Sequence, residues 1–259
     1  MSKIVSIHSF RGGTGKSNTT ANVASQLALN GKRVAIVDTD IQSPGIHVPF
    51  GLSGETMGLT LNDYLAGKCK ITEAAYNIGE HTGGEVGRKQ LAGKNLWLVP
   101  SSIDLNEITK VLRDGYDVNQ LNAGLKQLRR ELELDYLLID THPGLNEETL
   151  LSVAISDLLI IILRTDQQDF QGTAVTVDLA RTLGVPNLIL VVNKALLSRY
   201  DASGIKESIE KTYNAPVAAV LPLSEDMVDL QSADIFSLVM PDHRWSKGIR
   251  DVADMVMGL

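Results

Sequence analysis

The segment HSFRGGTGKSNTT (8–20) follows an apolar run and sets three glycines just ahead of a lysine and a serine. Those residue types at that spacing suit the capture of a polyphosphate. Glycine carries no Cβ and takes positive φ, so a turn of Arg11, Gly12, Gly13, Thr14 and Gly15 can wrap its backbone around an anion. The N–H groups of the turn and of a following helix N-terminus then face the phosphates. Lys16 is placed to reach the β- and γ-phosphates, and the Ser17 hydroxyl to meet Mg²⁺. The strict pattern G-x-x-x-x-G-K-[ST] fails by one residue, because Phe10 stands at its first glycine. A glycine turn with a solvated lysine is the alternative; the strand–turn–helix setting favours the phosphate loop.

Such a loop has to be held between a strand and a helix. Apolar runs read as strands at 3–10, 33–40, 96–102, 136–143, 157–166, 187–195 and 217–223. Most are continuous rather than alternating, which is the pattern of strands covered on both faces of a parallel sheet. Helical patterns lie between them. KSNTTANVASQLALN carries Val23 and Leu27 at i,i+4, and VNQLNAGLKQLRREL carries a stripe of Leu121, Leu125, Leu128 and Leu132. TAVTVDLARTLG, GIKESIEKTYN and SKGIRDVADMVMG read as three more helices. The alternation predicts one α/β domain over 1–259, a doubly wound, mostly parallel sheet flanked by helices. Rich in glycine and charge, 76–95 is expected to be an exposed, flexible loop.

Composition narrows the function classes. The chain has 259 residues, 44% hydrophobic and 21% charged, an ordinary globular balance. A net charge of −7 argues against a surface that coats nucleic acid throughout, while leaving room for a local basic patch. Cys69 is the one cysteine, so an internal disulfide is excluded and a reducing, cytoplasmic setting is expected. The five histidines show no metal-binding spacing. His142, in the turn DTHPG, reads as a turn residue rather than a catalyst.

Beyond the loop itself, several segments carry a resemblance. FRGGTGKSNTTANVA resembles the deviant phosphate loop of the MinD/ParA family of ATPases, usually K-G-G-x-G-K-[ST]. GKRVAIVDTDIQSPGIHVPFGL resembles that family's strand ending in D-x-D, and LDYLLIDTHPG its Walker B strand and following turn. LWLVPSS, LILVVNKA and VLPLSEDMVDLQSADIFSLVMPDH also fit. The resemblance implies a P-loop fold, ATP and Mg²⁺ as ligands, and a set of residue roles. Lys16 and the backbone from Gly12 to Ser17 hold the phosphates. Asn18 touches the α-phosphate or the ribose. Asp40 orients the attacking water, Asp38 lies beside the Mg²⁺ shell, and Asp140 acts on Mg²⁺ through water. Asn193 contacts adenine, or is simply a strand-end turn residue, and Pro222 begins a segment lying against the base. Leu196 stands where a guanine site wants aspartate, which favours ATP over GTP. Arg11 takes the place of the family's signature lysine and is read as a charge crossing an ATP-sandwich dimer.

The resemblance further implies an ATP-hydrolysing, dimerising switch, slow without its partner, that positions division machinery, DNA, flagella or a protein organelle. Its expected partners are a second copy of the chain and an activating or adaptor protein, with a non-specific DNA surface as a candidate. The ending DVADMVMGL carries no late basic residue, so a direct membrane anchor of the basic amphipathic kind is not expected, nor is a preceding helix-turn-helix. A nucleotide-gated scaffold and a P-loop ligase or synthetase are the alternatives. A metal-cluster carrier needs paired cysteines, and a tyrosine kinase relative needs a C-terminal tyrosine cluster.

Overall fold

The computed structural model describes residues 2–80 and 86–259. Within them the sheet comprises β1 (Lys3–His8), β2 (Val34–Asp38), β3 (Tyr76–Asn77), β4 (Leu96–Val99), β5 (Tyr136–Asp140), β6 (Leu158–Leu163), β7 (Leu188–Ala195) and β8 (Val217–Pro222). Their spatial order is β3-β4-β2-β5-β1-β6-β7-β8. Every pairing is parallel except the antiparallel contact of β3 with β4. The seven expected strands all form, each inside its apolar run and most of them shorter at one end, where polar residues leave for the loops. The alternation of strand and helix forces the rest, because a parallel neighbour can be reached only by a crossover.

The helices are α1 (Lys16–Leu29), α2 (Leu61–Leu65), α3 (Leu105–Asp114), α4 (Val118–Glu131), α5 (Glu147–Ala154), α6 (Gln167–Thr182), α7 (Ala202–Tyr213), α8 (Glu225–Leu230), α9 (Phe236–Val239) and α10 (Arg244–Gly258). Successive strand residues point to opposite faces. Val5, Ile7, Ile36 and Ile160 pack with Val23 and Leu27 of α1 and with Trp245 and Ile249 of α10. On the other face, Val37 and Leu137 meet Leu121, Leu125 and Leu128 of α4. Beside them, Ile161 and Leu190 meet Val177 of α6 and Ile209 of α7. Burial on both sides explains why the strands read as unbroken apolar runs.

The segment 76–95 departs from the expected exposed loop. Tyr76 and Asn77 form the edge strand β3, and Ile78 and Leu91 are buried in the core that contains α1. Arg88 is buried too. Its guanidinium crosses the left-handed Gly51 and donates to the Ala233 carbonyl at 2.8 Å, while the Gly87 N–H donates to Asp234 Oδ2 at 2.8 Å. Two apolar side chains and one stretched arginine therefore pin a segment whose composition alone suggests none. Residues 81–85, the centre of that segment and the location of His81, lie outside the described residues.

Phe10, the residue that breaks the strict glycine pattern, is accommodated from a distance. Its ring lies against Gly172 of α6, where an added Cβ would overlap the Phe10 side chain. Gly172→Ala is expected to lower stability by about 1–3 kcal/mol despite alanine's better helix propensity, because the ring must move. Adding Phe10→Ala should recover part of that loss. Denaturant titration of the single and double variants checks this.

Candidate nucleotide site

β1, β5 and β2 are neighbours, and their carboxyl ends converge. Asp38 pairs in register with Asp140, and Ile7 with Asp140. The loop after β1 wraps this corner before α1 begins at Lys16. Gly13 and Gly15 both have positive φ, at 76° and 92°. Any Cβ on Gly15 would run into the Asn193 amide nitrogen, so glycine is required there twice over. The helices that begin after Asp104, Asp117, Asn146, Asp166 and Asp201 are capped by those side chains. Helix α1 has no side-chain cap and no acidic residue in its first turn. Its leading N–H groups are thus left for an anion. The cleft in front of them is lined by Gly12, Gly13, Thr14, Gly15, Lys16, Ser17, Asn18, Asp40, Ser43 and Pro143.

At the floor of the cleft, the buried Lys16 ammonium lies 2.9 Å from Asp140 Oδ1 and 3.6 Å from Asp40 Oδ2. Thr20 Oγ1 donates to the same Asp140 oxygen at 3.1 Å. Burial disfavours the lysine's charge, but Asp140 and Asp40 outweigh it and raise its pKa. Asp38 is fully buried, and its pKa is raised well above the usual carboxylate range, first by burial and then by the charge of Asp140. One oxygen of Asp38 accepts the Asp40 N–H at 3.0 Å. Asp38 Oδ2 and Asp140 Oδ2 are both buried without a hydrogen-bond partner. Two orphaned carboxylate oxygens at adjacent strand ends fit a hard divalent cation that keeps part of its water shell. Among the described residues no group of three or more His, Cys, Asp or Glu is arranged to hold a metal by itself.

The other expected residues fall around this centre with some changes. The Asn193 amide is engaged by the protein: Nδ2 donates to the Thr14 carbonyl at 2.8 Å, and Oδ1 accepts from Lys194 N–H at 2.9 Å and Trp245 Nε1 at 3.3 Å. These contacts tie the end of β7 to the loop. Pro222 ends β8 and pairs with Ala195 of β7. Asn18 Nδ2 donates to Ser232 Oγ at 3.4 Å. Arg11 turns sideways onto its own α6, bonding Gln168 Oε1, with Asp166 at 4.0 Å. Lys194 was not singled out from the sequence. A left-handed backbone at φ 57° lets its ammonium reach the Gly13 carbonyl at 2.7 Å. The only sequence signal for it was its place after Asn193 at a strand end.

His8 lies beneath the loop and is fully buried. Thr141 Oγ1 donates to the Ile7 carbonyl at 3.0 Å, so the 2.8 Å contact between His8 Nδ1 and Thr141 Oγ1 has the imidazole as donor. The buried Nε2 is left as an acceptor with no partner. Burial first, then the charges of Lys16 and His142, pushes the His8 pKa down to about 3.

This arrangement, a glycine turn between the first strand of a parallel sheet and a helix opening with lysine, defines a P-loop nucleotide-binding protein. The model of a family described as an AAA domain matches residues 2–196. An uncharacterized ATP-binding protein of Methanocaldococcus jannaschii is 28% identical over 100% of this chain and 89% of its own. The chromosome-partitioning ATPase Soj of Treponema pallidum is 30% identical, covering 78% of this chain and 73% of Soj. An iron-sulfur cluster carrier protein of Rickettsia prowazekii is 29% identical over 85% of this chain, which spans 61% of that longer relative. The septum site-determining protein MinD of Pyrococcus horikoshii, solved with Mg-ADP, superposes with a TM-score of 0.80 at 22% identity over 99% of this chain and 96% of MinD. The chain belongs to the MinD/ParA family of P-loop ATPases.

The depressed His8 pKa has a definite sign. Below about pH 6.5 the unfolded chain takes up a proton that the folded chain refuses until near pH 3, so this group's stabilisation is lost as the pH falls through that window. Replacing His8 with asparagine, which retains a donor toward Thr141, should flatten the stability–pH slope between pH 6 and 4 by up to ~1.4 kcal/mol per unit. Denaturant titrations of both proteins across that range measure it.

Proposed function

We propose that this chain is an ATP-dependent dimerising ATPase of the MinD/ParA type, acting in the intracellular positioning or partitioning of a cargo, with a partner protein accelerating hydrolysis. The observation that carries this reading is the buried Lys16 shared between Asp140 and Asp40 at the mouth of an uncapped α1. Phosphoryl transfer requires positioning and charge neutralisation rather than covalent chemistry, and this constellation offers both. The backbone from Gly12 to Ser17 holds the phosphates, and Lys16 leaves its carboxylates to pair with them. Ser17, with Asp38 and Asp140 behind it, holds Mg²⁺, which when bound neutralises charge on the phosphates. Asp40 orients the attacking water. Asn18 and Pro222 face the nucleoside end.

Arg11 has a two-position role in this reading. In the isolated chain it rests on Gln168 and Asp166. In the dimer it leaves them and bonds phosphate oxygens held by the partner subunit, for which its planar fork is suited. The iron-sulfur carrier among the relatives marks another role within the family. These 259 residues hold a single cysteine, Cys69, which does not favour cluster transfer.

Purified protein with MgATP is expected to release phosphate. Lys16→Ala should abolish nucleotide uptake in calorimetry, and Asp40→Ala should retain uptake while losing release. Uptake without release in the native protein would identify a nucleotide-gated scaffold. Sedimentation should show a dimer with ATP and a monomer with ADP. Arg11→Ala should remain monomeric with ATP while binding it normally; an unchanged dimer and unchanged turnover would remove the trans role of Arg11.

A further inference from the structure

The turn after β5 contains an imidazole where no role was expected. His142 Nδ1 lies 2.7 Å from Asp40 Oδ1, a contact between residues 102 apart in the chain. Asp40 is an acceptor, so Nδ1 carries the proton and donates. The Ser43 N–H points at the same oxygen from 3.3 Å. Asp40 Oδ1 therefore faces two donors within the protein, while Oδ2 is the oxygen turned toward Lys16, 3.6 Å away at the phosphate cleft. The imidazole is itself held. Pro143 follows it and restricts its backbone to extended conformations. Its carbonyl accepts Thr149 Oγ1 at 3.3 Å, and its side chain is only 19% exposed. Glu148 is the other acidic group whose charge interacts with His142, but the hydrogen bond goes to Asp40.

Resting on the reading of Asp40 given above, we infer that His142 is a positioning residue for ATP hydrolysis: its Nδ1–H fixes one oxygen of Asp40 so that the other is presented to the attacking water. His142 does not line the cleft, which Asp40 and Pro143 do, so it acts through Asp40 rather than on the nucleotide. A carboxylate can occupy several rotamers, and a tie that selects one lowers the cost of reaching the reactive arrangement. The same bond links the loop after β2 to the loop after β5. A movement of either loop is thereby transmitted to the carboxylate.

The test is a set of three variants measured beside the native protein and Asp40→Ala. Single-turnover ATP hydrolysis should fall roughly tenfold to a hundredfold in His142→Ala, the range for losing a hydrogen bond to a charged group, with nucleotide Kd changed less than threefold. His142→Asn, whose amide nitrogen falls near the Nδ1 position, should recover most of the rate. His142→Gln, which matches Nε2 instead, should not. In ¹⁵N-histidine spectra of the nucleotide-free protein, an Nδ1-protonated imidazole distinct from that of His8 should lose its signal in His142→Ala and shift in Asp40→Ala. Native turnover that survives His142→Ala, equal rescue by asparagine and glutamine, or an imidazole indifferent to Asp40 would each overturn the inference alone. Failure of the native protein to hydrolyse ATP, with no change on Asp40→Ala, would overturn the hydrolytic reading and this inference with it.

Discussion

One lysine faces three aspartates in a place almost without water. Lys16 is within 3.6 Å of carboxylate oxygens on both Asp140 and Asp40, and Asp38 is buried beside them. A buried ammonium needs such partners, and clustered carboxylates need the ammonium. The match is incomplete, because Asp38 holds its proton far above the usual range and two carboxylate oxygens lack partners. The pocket is thus short of positive charge. Phosphates that draw Lys16 outward deepen that shortage, and a divalent cation relieves it. In the proposed function, this balance couples nucleotide and cation binding.

The balance exists only because of strand order. β1, β5 and β2 are adjacent in space, although α1 separates β1 from β2 and about a hundred residues separate β2 from β5. Parallel pairing in register brings Asp38 opposite Asp140 and puts the glycine loop at their common end. Apolar helices on both faces exclude water from the strands, which is what makes the charges at their ends costly to leave unpaired.

Several side chains that the sequence pattern leaves unexplained find partners elsewhere in the fold. Phe10, in a position that the strict pattern gives to glycine, has the bare face of Gly172 to lie on. Arg11, in place of the family's lysine, has Gln168 and Asp166 to hold it. His142 has Asp40. Arg88 ties down a glycine-rich segment that would otherwise have little to bury. In each case a side chain is matched by a residue on a different element.

What the sequence alone determined was local. Positive-φ glycines before Lys16, seven continuous apolar runs, and aspartates at the ends of two of them were legible, because turn chemistry and burial period are written in neighbouring residues. Five of the ten helices described were legible too. Short α2, α8 and α9 have too few turns to show a period, whereas α3 carries Leu105, Ile108 and Leu112 at helical spacing that went unread. Tertiary structure decided the rest. That Asn193 holds Thr14, that Lys194 reaches Gly13, that Arg11 rests on its own chain and that His142 grips Asp40 all depend on contacts between residues more than a hundred positions apart. Composition and spacing report backbone conformation and exposure. They carry no information on which strand ends meet, and at this site that meeting sets every side-chain partner.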